Sequence, residues 1–289
     1  MNAFERGPTL DYREHKLPPP LDRYVECAWF VSDTTASASP AERILPDGCI
    51  EWIFHLGLPF EYLTAAGEWQ VQPRSFVVGE LTRFLMLKPA SRPNVMGIRF
   101  RPRGAYRFFP LPLTHLTDRV VSTSDIWRVS SNELEDRICS PGTDQDRMRV
   151  IEGFLLRAFS STSARPLFES AVSRILQTRG QQRIKELAEE LGSSTRQLER
   201  EFRAAVGLSP KAFARIARLQ NLLHVLGENK LREWANLAVS VGYSDQPHMT
   251  REFREFVGQS PTQTDLCKLG KLSRNFISPQ RLAELLGEG

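Results

Sequence analysis

The chain has 289 residues, more than one hydrophobic core of ordinary size organises, so two domains are expected. A hydrophobic share of 41% beside a charged share of 25% excludes a disordered chain, and no apolar run approaches the roughly 20 residues of a membrane-spanning helix. The net charge of +4 permits an anionic partner without identifying one.

The opening segment, MNAFERGPTLDYREHKLPPP, has acidic residues and prolines where a secretory signal needs a basic start and an apolar stretch, so a cytoplasmic protein is expected. In the first half, Pro46-Asp47-Gly48 is turn chemistry. The CIEWIFHL that follows alternates Ile50, Trp52, Phe54 and Leu56 with other residues, as a half-buried strand does. RSFVVGEL (74–81), RFLMLK (83–88) and VMGIRF (95–100) are further apolar runs of strand length. Residues 1–130 are therefore predicted to form a mainly antiparallel β domain. Its aromatics Trp29, Phe30, Trp52, Phe54, Phe60, Tyr62, Trp69, Phe76 and Phe84 are expected to be core more often than pocket lining.

Helical patterning begins in 131–165. SNELEDRI sets Leu134 and Ile138 on one face, and TDQDRMRVIEGFLLRAF sets Met148, Ile151, Leu155, Leu156 and Phe159 inward behind a capping Thr143. These helices are expected to pack on the β domain or against a second copy, and Ser160–Arg165 reads as a linker. PLFESAVSRILQTRG is a further helix with Phe168, Val172, Ile175 and Leu176 inward.

Residues 183–210 then place Ile184, Leu187, Ala188 and Leu191 on a short helix, Gly192-Ser193-Ser194 at a turn, and Leu198, Phe202 and Val206 on a second helix, which is helix-turn-helix grammar. After a helix from about 210 to 226, residues 231–261 repeat it. Ala238 answers Ala188, Gly242 answers Gly192, Met249 answers Leu198, Phe253 answers Phe202, and GQSP answers GLSP.

GYSDQPHMTREFREFVGQSP is similar to the signature of the second helix-turn-helix unit in AraC/XylS transcription regulators, while LPDGCIEW and FRPRGAYRFFPLP resemble the β domain attached to one branch of that family. The resemblance implies an α+β two-domain protein whose residues 166–268 form an all-α seven-helix module, with 269–289 as a tail. In such a module a central helix holds two recognition helices for successive major grooves of double-stranded DNA, about 34 Å apart. It further implies RNA polymerase as protein partner, an optional small-molecule effector at the β domain, homodimer pairing as an option, and no membrane. Carried over by position, the base-reading candidates are Thr195, Arg196, Gln197 and Arg200 on the first recognition helix and Gln246, His248, Thr250 and Arg251 on the second. Arg can donate two bonds to guanine, Gln can pair with adenine, and Thr can touch a thymine methyl. Residues 166–268 carry 15 Lys/Arg against 12 Asp/Glu, so affinity depends on where the charges sit. Arg203, Lys211, Arg215, Arg218 and Arg254 are candidate phosphate contacts, as are the helix N-termini near Ser194 and Ser244.

An enzyme is the main competing class, and none is expected. His15, His55, His115, His224 and His248 are scattered, and no HExxH, GxSxG or Gly-rich phosphate loop occurs. Cys27, Cys49, Cys139 and Cys267 lie far apart without a CxxC pair, which predicts reduced thiols, no metal and no cofactor. Two alternatives stand beside the DNA-reading regulator: an alkyl-acceptor repair protein carrying the same module, and a regulator that acts only through protein contact.

Overall fold

The computed structural model describes residues 11–33, 40–127, 129–159, 165–228 and 233–264. Its first half contains the strands β1 (Asp11–His15), β2 (Val25–Ser32), β3 (Glu42–Ile44), β4 (Glu51–His55), β5 (Glu61–Leu63), β6 (Trp69–Val71), β7 (Ser75–Val78), β8 (Leu85–Lys88), β9 (Asn94–Phe100) and β10 (Val120–Ser122). They pair as two antiparallel sheets, β1-β2-β9-β4-β7-β10 and β3-β8-β5-β6. Side chains alternate across a strand, so the large sheet presents two different faces. Phe30, Trp52, Phe54, Met96 and Ile98 line one, while Trp29 and Val95 on the other meet Phe60 and Leu87 of the small-sheet side. The expected runs contain β4, β7, β8 and β9. The aromatics divide: Phe30, Trp52, Phe54 and Phe76 are buried core, whereas Trp69 is exposed.

Three helices, α1 (Thr123–Trp127), α2 (Val129–Cys139) and α3 (Asp144–Ala158), cover the first of these faces. Thr143 and Asp146 form a capping box that satisfies two otherwise orphaned amides at the start of α3. Met148, Ile151 and Leu155 turn inward as expected, and Trp52 donates its indole N–H to Thr123 at 2.9 Å. Leu156 departs from expectation: it is 51% exposed, and the buried place on that turn belongs to Phe154. The stripe at 148, 151 and 155 already fills the face on the sheet, and 156 falls about 100° further round the helix.

The second half is helical: α4 (Pro166–Gln177), α5 (Ile184–Glu190), α6 (Thr195–Ala205), α7 (Pro210–Glu228), α8 (Trp234–Ser240) and α9 (Gln246–Val257). These are six helices among the described residues. Any helix after residue 264, the remaining tail, Cys267, and positions 160–164 of the expected linker lie outside the described residues. The helices share one core, in which Phe168, Phe202, Phe213 and Phe253 are fully buried. Leu45, Phe84 and Tyr106 of the β half join that core. The two halves thus share apolar packing as well as polar bonds, among them Tyr106 Oη to Glu169 at 2.7 Å and Arg103 Nη1 to Ser173 Oγ at 3.2 Å.

Candidate nucleic-acid interface

The two helix-turn-helix units are built alike. Ala188 and Ala238, 1% and 0% exposed, let α5 and α8 approach α6 and α9 closely. At each turn the glycine takes a left-handed conformation, with φ +63° at Gly192 and +90° at Gly242, where a side chain would be strained. The following amide returns to the helix, from Ser193 to Ala188 O at 2.8 Å and from Tyr243 to Ala238 O at 2.9 Å. Beyond the turn the register changes by one residue: the N-caps are Ser194 and Asp245, so Leu198 matches Met249, Phe202 matches Phe253, and Arg200 and Arg203 match Arg251 and Arg254. Arg196 falls opposite Pro247 and has no basic counterpart.

On α6, Thr195, Arg196, Gln197, Arg200 and Arg203 are exposed while Leu198 and Phe202 point inward. On α9, Gln246, Arg251 and Arg254 are exposed, and His248 and Thr250 are half-buried. His248 Nδ1 lies 3.1 Å from Ser244 Oγ, and its ring meets Tyr243 edge-on. Lys211, at the start of α7, is exposed.

Three phosphate candidates take different roles. Arg215 donates to Glu252 at 2.7 Å and Glu255 at 2.5 Å and stacks on Phe256. Arg218 bonds Gly242 O at 3.2 Å, stacks on Tyr243, and lies 3.6 Å from Glu252. Both guanidiniums therefore brace α9 and its turn against α7, because the buried Glu252 needs compensating charge. Ser244 is not the cap of α9. Asp245 is, accepting the His248 amide at 2.7 Å, and that bond holds its carboxyl below the usual range. A charged carboxylate at this helix start repels a DNA phosphate, whereas the neutral Ser194, which accepts the Gln197 amide at 3.2 Å, leaves the positive end of α6 available.

The β domain grips the module away from these first turns. Thr117 donates to Gly207 O, just past α6, at 2.8 Å, and Phe84 packs against Gly258, just past α9. Between them, Gln220 of α7 donates to Pro46 O at 2.5 Å, and Phe213 presses on Gly48. Both recognition helices are therefore anchored at their C-terminal ends, and their N-terminal turns are left exposed.

The loop that touches α7 also borders a cavity of about 70 Å³ between the two sheets. Near it, Arg99, 0% exposed, binds Glu26 at 3.1 Å, Asp47 at 2.7 Å and Glu51 at 2.6 Å. Burial pushes the Glu51 carboxyl up to about 7 against the opposing pull of Arg99. Across the cavity His55 bonds Gln72 at 3.0 Å, and burial lowers its pKa to about 4. Sequence reasoning set His55 in a half-buried strand run, and the structure buries it to 1% exposure with Gln72 as a hydrogen-bond partner. It missed the cluster around Arg99, whose only signal was charge inside strand-like runs.

The buried His55 gives a pH prediction. Its folded pKa lies below the ordinary 6.5, so the unfolded chain binds more protons between about pH 6.5 and 4, and this contribution to stability is lost as pH falls through that window. At pH 4 the loss reaches about 3 kcal/mol. Urea denaturation at pH 7, 5.5 and 4 is expected to show a shallower acid decline for His55→Gln than for the unsubstituted chain. Parallel declines would contradict a buried neutral imidazole.

A helix-turn-helix domain model matches residues 187–265, and a model described as a domain of unknown function matches residues 13–122. No curated protein matches the chain in sequence. Among solved structures, ToxT from Vibrio cholerae aligns over 78% of this chain and 96% of its own, at 9% identity and a TM-score of 0.43. Its unsaturated fatty acid bound form aligns over 79% and 96%, at 8% identity and a TM-score of 0.41.

Proposed function

We propose that the chain is a DNA-binding transcription regulator of the AraC/XylS type that reads an asymmetric duplex site with both helix-turn-helix units, under control of a small effector held by the β domain. The observation that carries this reading is the shared frame of the two recognition helices: α7 lies between the units, Arg215 and Arg218 tie it to α9, and the exposed N-terminal turns carry the polar side chains. Arg196, Arg200 and Arg251 offer forked donors for guanine, with Gln197 and Gln246 for adenine. Arg203 and Arg254, at equivalent places in the last turns, suit flanking phosphates, and Lys211 and the N-terminus of α6 add to them.

The protein acts without catalysis in this reading. An alkyl acceptor needs an accessible thiolate, whereas the cysteines among the described residues, Cys27, Cys49 and Cys139, are buried, and burial pushes their thiols up, to about 12 at Cys27 and about 11 at Cys139. Action through protein contact alone would leave the exposed arginines of two recognition helices without a task.

Selection of bound duplexes from a random pool by the full-length chain tests the proposal. The expected product is two different short elements about 10 base pairs apart, centre to centre, with affinity falling as salt rises. Recovery of a single element, or of no preferred sequence, would refute the two-groove reading.

A further inference from the structure

We propose that the cavity between the two sheets binds a small organic amine, its ammonium seated against Asp47 and Glu51 and its apolar body lying along β4 toward His55, and that occupancy reaches the helical module through Leu45. The inference rests on the effector reading above and gives that effector a chemical class.

Strand alternation builds the site. Trp52 and Phe54 of β4 face the helices, which turns Glu51, Ile53 and His55 toward the small sheet, and all three line the cavity. Four residues of strand separate its two polar poles by about 13 Å. Trp29, Ile44, Phe60, Leu87 and Val95 supply apolar wall between them.

The first pole is acidic. Asp47 and Glu51, which line the cavity, both bind Arg99, which also binds Glu26. Glu80, between the cavity-lining Gly79 and Leu81, is 2% exposed, and its Oε2 has no partner. Burial and the neighbouring Asp47 push the Glu80 carboxyl well above its usual range. Glu51 engages Arg99 through Oε1, and the side chains of Asp47 and Glu51 keep 14% and 13% exposure beside the cavity. An ammonium entering here offsets buried negative charge, and a carboxylate adds to it, so the site selects against organic acids.

The second pole is an acceptor. His55 is 1% exposed, its Nε2 lies 3.0 Å from Gln72 Oε1 and 3.5 Å from the Phe60 amide, and its Nδ1 has no protein partner, so in the tautomer that protonates Nε2 the Nδ1 is a bare acceptor. A buried acceptor without a donor favours a ligand that brings one, such as a hydroxyl or a second amine.

The relay is one loop. Leu45, 4% exposed, lines the cavity and also belongs to the helical core. Pro46 accepts from Gln220 of α7, Asp47 holds Arg99, and Gly48 lies against Phe213. A ligand that draws on Asp47 therefore pulls the segment packed against α7, the helix that carries both reading units.

Titration calorimetry of the full-length chain with 5-aminopentan-1-ol, n-pentylamine, pentan-1-ol and pentanoate, paired with affinity for the selected duplex, tests the proposal. Both amines are expected to bind at least tenfold more tightly than pentan-1-ol, pentanoate not to bind, and 5-aminopentan-1-ol to bind tightest and to shift DNA affinity. Glu51→Gln is expected to weaken the amines selectively, His55→Leu to equalise the two amines, and Ile53→Trp to block the cavity. No binding by either amine, or amine binding that survives Ile53→Trp, overturns the proposal. Pentanoate or pentan-1-ol binding as tightly as the amines, and blocked by Ile53→Trp, overturns the amine class but sustains the effector reading. The effector reading itself fails if a folded Ile53→Trp chain keeps the DNA affinity and target transcription of the unsubstituted protein under every growth condition.

Discussion

Arg99→Met is expected to lower stability by about 3–5 kcal/mol, enough to unfold much of the population of an ordinary domain. Methionine preserves most of the side-chain length, so the loss is electrostatic rather than a cavity effect. Arg99 is fully buried in β9 and holds Glu26 on β2, Asp47 in the loop and Glu51 on β4, so one guanidinium ties two adjoining strands and the interdomain segment. Without it Glu26, Asp47 and Glu51 lose the guanidinium that all three bind in a low-dielectric interior. The pH dependence separates this cause from a packing defect. Burial already raises Glu51 to about 7, and removing Arg99, which lowers it, raises it further. A carboxyl with a raised folded pKa costs stability once the pH exceeds its unfolded value, and the cost is complete above the folded one. The deficit of the variant is therefore expected to be largest above pH 7 and to narrow as the pH falls toward 4.5. Urea denaturation followed by tryptophan fluorescence measures it, with the exposed Arg83→Met as a control expected within about 0.5 kcal/mol of the parent. A midpoint for Arg99→Met that matches the control would refute the charge-neutralising role.

The helical module was the most legible part of the chain because its signals are local. Glycine at a turn, alanine one helical turn before it and a buried residue six or seven positions later recur in both units, and each answers to geometry within twenty residues. The strand at 51–55 was legible for the same reason, since alternation reports a half-buried strand without knowledge of its partner, and the one at 94–100 was legible as an apolar run of strand length. β1 and β2 were missed. VECAWFVS of β2 is buried on both faces, between the helices and the small sheet, so it shows no alternation. DYREH of β1 is polar and takes its place as an edge strand by pairing with β2. Arg215 and Arg218 were misread for another reason. Sequence gives them the same outward charge as Arg203 and Arg254, and only the fold brings Glu252 and the Gly242 carbonyl within reach. The cap of α9 was misplaced by one residue because Ser244 and Asp245 are equally good caps in composition, and the longer second turn decides between them.

Arg196→Ala and Arg251→Ala are each expected to weaken binding to the selected duplex by about 1–3 kcal/mol, roughly fivefold to 150-fold, and to relax preference at different base pairs. The expectation follows from position. Arg251 is the counterpart of Arg200 on its own helix, two residues past a fully buried Met249, while Arg196 lies in the first turn of α6, where the second unit has Pro247. Neither makes an ion pair with Glu199, Glu252 or Glu255, and Glu252 and Glu255 are engaged by Arg215. Their forks are thus available to DNA. The module carries only three more basic than acidic residues, so nonspecific attraction is modest and base contacts weigh more in the total. Arg254→Ala supplies the contrast. At the last turn of α9 it suits a phosphate, so its loss should weaken all duplexes nearly alike and reduce the slope of log affinity against log salt by about one. Site selection by each variant, with affinity measured at several salt concentrations, distinguishes these outcomes. If Arg196→Ala and Arg251→Ala both keep the parental base preferences, or both alter the same base pairs, the two helices do not read separate parts of one site.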